Sequence, residues 1–164
     1  MKKTLSLSLL ALMLISACDN ESVSNKEIRK LEKAKETWQQ TKTPDYSFNY
    51  RQLCFCGYVE EIRVLVFSDT VYAFQNPETG EDITVQTEGG EVKLLDLYPS
   101  YASTIDELFI TLENAALKAD EMSGKYDGER GFPSEVSIDY YKDAIDDEVT
   151  YILSNYQVLT LTKN

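Results

Sequence analysis

Apolar residues recur along the chain at two spacings, and each switch between them marks a change from helix to strand. Ile28, Leu31, Lys35 and Trp38 share one helical stripe, with the Lys35 stem able to lie along it. Ser24 and Glu27 stand ahead of the stripe in capping-box spacing, and Pro44 stops the helix near Thr41. The spacing then drops to two. Tyr46, Phe48 and Tyr50 alternate with Ser47, Asn49 and Arg51, the pattern of a half-buried strand. A second strand is predicted from about Tyr58 to Phe67, with Ile62, Val64 and Val66 on one face. A turn at Ser68, Asp69 and Thr70 leads into a third, Val71 to Phe74.

Asn76-Pro77 and Thr79-Gly80 break this pattern. The acidic stretch from Glu78 to Glu91 reads as a long loop holding a short strand around Ile83 to Val85. Thr104 and Glu107 repeat the capping-box spacing after Tyr98-Pro99. Ile105, Leu108, Phe109, Leu112 and Ala116 then form an amphipathic helix. Three more strands are predicted: Met122 to Tyr126, Pro133 to Tyr141, and Glu148 to roughly Leu161. Asp127-Gly128-Glu129-Arg130-Gly131 forms a hairpin turn between the first two of these. The order helix, three strands, helix, three strands predicts an α+β domain with two helices packed on one face of an antiparallel sheet. It also suggests a helix-plus-three-strand pseudo-repeat.

The N-terminus follows another logic. Lys2 and Lys3 precede an apolar run from Leu5 to Ile15, and Ser16 and Ala17 are small residues placed before a cleavage point. The run is about a dozen residues, against the roughly 20 that a bilayer-spanning helix needs. Ile15-Ser16-Ala17-Cys18 resembles a lipobox, which implies that Cys18 becomes the first mature residue and carries the lipid. Asp19-Asn20 resembles the signal that keeps a lipoprotein in the inner membrane of enteric bacteria. The expected organisation is a signal over residues 1–17, a lipidated cysteine and short linker over 18–25, and one domain over 26–164. Removing 17 of the 164 residues leaves 147, enough for one substantial core.

The chain carries 16 basic and 28 acidic residues. Losing Lys2 and Lys3 with the signal takes its net charge from −12 to −14. Such a body is repelled by phosphates, so no nucleic-acid partner is expected and the lipid is left to do the anchoring. The chain has no histidine, which excludes Ser-His-Asp and Cys-His catalysis and the usual zinc sites. Gly89-Gly90 lacks the lysine and helix of a phosphate loop. No enzymatic activity and no cofactor is expected.

Asp45-Tyr46-Ser47-Phe48-Asn49-Tyr50 with Cys54-Phe55-Cys56 forms a distinctive string. It is followed in order by Ser103-Thr104-Ile105-Asp106-Glu107-Leu108-Phe109, Tyr126-Asp127, Gly131-Phe132-Pro133, Val136-Ser137-Ile138-Asp139 and Asp146-Asp147-Glu148. Together these resemble domain-of-unknown-function family 6174, bacterial lipoproteins with a CxC motif. The resemblance implies a secreted or lipid-anchored domain and no known substrate. Ser68-Asp69-Thr70 departs from the family pattern in lacking a glycine, and the Glu78 to Glu91 loop departs from it as well.

Two groups of residues are candidates for chemistry. With Cys18 acylated, Cys54 and Cys56 are the remaining thiols, and several readings stay open: a disulfide, a redox pair, a Cu(I) site, or free or intermolecular thiols. At i and i+2 on a regular strand their Cα atoms lie near the long end of disulfide range, and Gly57 is placed to permit the kink a bridge needs. Asp139, Asp143, Asp146, Asp147 and Glu148 are oxygen donors suited to calcium, but their spacing is not that of an EF-hand. Asp146 and Asp147 read more simply as turn residues. Paired carboxylates such as Asp139 and Asp147 are also the residues a histidine-free hydrolase would use. Eleven tyrosines suit sheet packing or a binding surface, and of the adjacent Tyr140 and Tyr141 one must face away from the core. The expected role is a non-enzymatic domain, lipid-anchored to the periplasmic face of the membrane through Cys18. It binds an envelope protein along a sheet edge or across the helix-free face. Its alternative is a thiol-redox or metal-handling protein acting through Cys54 and Cys56.

Overall fold

The computed structural model describes residues 23–55 and 60–160. The expected signal, Cys18, Asp19, Asn20, Cys56 and Gly57 lie outside the described residues. α1 spans Asn25–Thr41, followed by β1 Tyr46–Leu53, β2 Ile62–Phe67 and β3 Thr70–Gln75. Next come β4 Thr84–Thr87, β5 Gly90–Lys93, α2 Leu94–Leu97 and α3 Ile105–Ala116. β6 Glu121–Tyr126, β7 Pro133–Asp139 and β8 Val149–Val158 complete the order.

The expected architecture of two helices on one face of a single sheet is corrected. The molecule is mostly antiparallel sheet, divided into a six-stranded sheet β3-β2-β1-β8-β7-β6 and a separate two-stranded sheet β4-β5, with three short helices among the described residues. α1 lies along β6 and α3, whereas α2 lies against β3 and β5. The helix-plus-three-strand repeat is corrected as well: the two units lie side by side as β3-β2-β1 and β8-β7-β6, but the β4–β5 hairpin and α2 follow only the first of them among the described residues. Sequence periodicity reports which residues are buried but not which strands are neighbours, so the pairing of β1 with β8 was hidden.

Tyr46, Phe48 and Tyr50 of β1 share a core with Val64, Val66, Val136 and Ile138, joined by Leu31 and Trp38 of α1 and Leu108, Phe109 and Leu112 of α3. The folded part reaches back to Val23, which is buried in the same core. Both helix caps form as the sequence predicts: Glu27 N–H donates to Ser24 Oγ, and Thr104 and Glu107 complete a reciprocal capping box. α1 and α3 are tied at Asp106, whose Oδ1 accepts from Gln39 Nε2 at 2.6 Å and Lys42 Nζ at 3.0 Å, and whose Oδ2 accepts from Trp38 Nε1 at 3.3 Å. Burial raises the Asp106 pKa, but these donors outweigh it and hold the carboxyl below its ordinary range.

Three local departures carry physical reasons. The β2–β3 turn has Ser68 and Asp69 both at positive φ without a glycine, and it is held from outside: Ser68 N–H donates to Asp45 Oδ1 at 2.8 Å and Asp69 N–H to the Pro44 carbonyl at 3.0 Å. A bulge in β8 puts Asn155 at φ 51, and Tyr156 turns inward to stack on Tyr46 with ring centroids 5.4 Å apart. The predicted loop from Glu78 to Glu91 holds β4 and the start of β5, and the hairpin runs on to Lys93 before α2, which buries Leu94.

The turn from Asp127 to Gly131 forms as predicted, with Asp127 Oδ1 accepting from the Glu129 and Arg130 amides. Gly131 sits at φ +80, and a Cβ there would lie 2.3 Å from the Ala34 carbonyl of α1. Gly131→Ala should therefore cost about 1–2 kcal/mol from the left-handed backbone alone, and more from the displaced helix. Gly128→Ala, whose Cβ meets nothing within 4 Å, should cost far less. Urea unfolding of both variants checks this, and equal midpoints would contradict the close approach.

Candidate functional site

Cys54 and the acidic cluster come to one end of the six-stranded sheet. Leu53, at the end of β1, pairs with Thr150 at the start of β8, and Thr150 in turn pairs with Ser137 of β7. Cys54 follows Leu53, and Asp139 closes β7. They stand on opposite faces, because Cys54 shares the parity of Tyr50 and Gln52 while Asp139 shares that of Ser137.

On the core side, Cys54 is half-buried against the apolar cluster. Tyr50 O–H donates to Gln52 Oε1 at 2.9 Å, and Gln52 Nε2 reaches Cys54 Sγ at 3.4 Å. Tyr101 meets Tyr50 edge-on at 5.8 Å, and Tyr151 lies 6.4 Å from it. Burial drives the Tyr50 hydroxyl far above its ordinary pKa, with Tyr151 and Tyr101 adding to the shift. This tyrosine chain is neutral and serves packing. Phe55, next to Cys54, is 85% exposed.

On the other side, Glu121, Ser123, Ser137, Asp139, Glu148 and Thr150 line a cleft of about 180 Å³. That is below the roughly 300–1,000 Å³ typical of small-molecule sites. Ser137 Oγ and Thr150 Oγ1 are hydrogen-bonded at 2.9 Å across its floor. Asp147 Oδ2 accepts from the Tyr141 amide at 2.7 Å and so takes the expected turn role. Asp139 Oδ1 and Asp147 Oδ1 are both buried without a hydrogen-bond partner. Partial burial raises the Asp139 pKa, and the negative charges of Asp147 and Glu148 raise it further. Asp143 and Asp146 stand exposed in the loop, the latter at φ 73. Among the described residues no group of three or more Asp, Glu or Cys is arranged to hold a metal ion. Tyr140 is packed against the core and Tyr141 is exposed, as their adjacency required.

The large sheet's edges are partly covered. On β3, Ile83 N–H donates to the Phe74 carbonyl, and Gln75 bridges to Asp82. On β6, Glu27 of α1 accepts the outward Gly124 amide at 3.2 Å. The sheet face opposite the core side chains of Tyr46, Val64 and Val136 carries Arg51, Arg63, Lys125 and Glu135 around half-buried Leu65, Phe67 and Ile152. Ser47 and Asn49 in its middle are fully buried rather than solvent-facing, being small side chains on a central strand between the register partners Leu65, Gln157, Arg63 and Ser154. Strand alternation alone gave no signal of that. No helix among the described residues is long and apolar enough to cross a membrane.

Residues 30–158 match the family described as "Family of unknown function (DUF6174)". No curated protein and no solved structure matches the chain.

The raised Asp139 pKa has a definite sign. An acid that holds its proton more tightly when folded weakens the fold once pH rises above its unfolded pKa. Asp139→Asn should therefore raise the melting temperature at neutral pH, and the gain should vanish in acid below the ordinary aspartate range. Melts at the two pH values check both limbs, and a neutral-pH loss would contradict the crowding of like charge at this cleft.

Proposed function

The chain belongs to the DUF6174 family of unknown function, and from that premise we propose that it is a lipid-anchored, non-enzymatic domain of the bacterial cell envelope. It binds an envelope protein across the sheet face opposite its core. The observation that carries this reading is the contrast between edges and face. The β3 and β6 edges are partly covered by the chain's own Ile83 and Glu27, whereas the face offers apolar Leu65, Phe67 and Ile152 framed by charges of both signs. A recognition surface of this make-up gains from an apolar centre and sets register through its charged rim.

Attachment rests on Cys18, the first residue after a lipobox-like signal. Acylation there supplies the membrane partner that the net charge of the body does not. In this reading Cys54 and Cys56 form a disulfide, since they are the two thiols left once Cys18 is acylated in an oxidising compartment.

A photo-crosslinker placed at Ile152 should capture one defined envelope protein that the same crosslinker at Ile110, exposed on α3, does not. Identical products from both positions would sink the binding face. Cys18→Ala should leave unprocessed precursor or release the protein from the membrane fraction, and unchanged fractionation would refute the anchor. Replacing Cys54 and Cys56 together by serine should lower stability only modestly, because so small a loop removes little chain entropy. Partial alkylation of the native protein, or a metal lost in that variant, would favour thiol-redox or metal handling instead.

A further inference from the structure

The acidic total conceals a local inversion on α1. Lys26, Arg29, Lys30 and Lys33 recur at i, i+3, i+4 and i+7, and all four are exposed. This spacing gathers them on one face, turned away from the buried Leu31, Ala34 and Trp38. Lys30 pairs with Glu27 at 2.7 Å. Glu32 and Glu36 lie along the other flank, toward Glu113 of α3, where Lys35 is held at 2.6 Å.

We propose, on the reading that Cys18 is acylated, that this face of α1 docks on an anionic phospholipid surface and sets the orientation of the domain on the membrane. Two observations support it. The first is complementarity, since four cations within eight residues face outward from a chain of net charge −12. Screening weakens interactions beyond about 8 Å at physiological ionic strength, so headgroups beside α1 respond to this stripe and its near neighbours Glu27, Glu32 and Glu36 rather than to the acidic total. The second is reach. Val23 is buried in the core, and the stretch from Cys18 to Val23 extends to about 18 Å at most. An acyl chain on Cys18 therefore holds the first turns of α1 close to the headgroups.

The test uses the acylated protein in vesicles of phosphatidylcholine alone or of phosphatidylcholine with phosphatidylglycerol. A water-soluble amine reagent is applied, and labelling of Lys26, Lys30 and Lys33 relative to Lys93 is read by peptide mass spectrometry. Labelling should fall several-fold in the anionic vesicles and recover in high salt. Equal labelling in both vesicles, with Cys18 acylated, overturns the docking face. The same spectra report the state of Cys18. An unmodified Cys18 with salt-sensitive binding to anionic vesicles refutes the anchor but supports the docking face. Changing Lys26, Arg29, Lys30 and Lys33 together to glutamine should leave the melting curve unchanged. Binding of the unacylated form of that variant should no longer distinguish anionic from neutral vesicles, and a retained preference also overturns the proposal.

Discussion

The hydroxyl of Tyr46 is where the helices and the central strands are tied together. It accepts the Ile105 amide at 3.1 Å, one of the N–H groups that the first turn of α3 leaves without a partner in the helix. The Tyr46 ring is fully buried, edge-on to Trp38 and stacked on Tyr156. Burial drives its pKa far up, so the group stays a neutral phenol. Tyr156 extends the stack to Phe132, with the Arg130 guanidinium 5.0 Å from its centroid. α1, β1, α3, the β6–β7 turn and β8 thus converge on one aromatic column, and Gly131 lets the turn approach near enough to join it.

The strings that carry the family resemblance are the parts that touch one another. Asp45 caps the Ser68 turn, Tyr46 meets Ile105, and Thr104 and Glu107 form the cap beside it. Asp106 gathers donors from Trp38, Gln39 and Lys42. These residues serve assembly of the fold.

Legibility followed sequence range. Both caps, the buried stripe of α3 and the Asp127 turn were readable because each depends on residues within a turn or two of each other. The β4–β5 hairpin was partly masked by its acidic composition, although Gly89-Gly90 held a turn signal; Gly90 adopts φ 112. The neighbour relation of β1 and β8, the inward rotation of Tyr156 and the burial of Asn49 depend on pairing across the chain, for which periodicity has no vocabulary. At the sites, the crowding of Asp139, Asp147 and Glu148 was visible as a cluster, whereas its partner Glu121 was not, since only the β6–β7 register brings it opposite Asp139. The basic stripe of α1 was hidden by reading charge as a total.

The sheet's middle is closed by strands from opposite ends of the chain, with Tyr50 opposite Leu153 and Leu53 opposite Thr150. β1 spends the whole period of synthesis without its second neighbour, and the column around Tyr46 lacks Tyr156 until the last segment arrives. Contacts of such long sequence separation form slowly, because a large loop must close before they return any energy. Folding therefore completes only when the final strand slots into the gap beside β1, and a chain stopped short of Val149 is left with its central strand as an open edge.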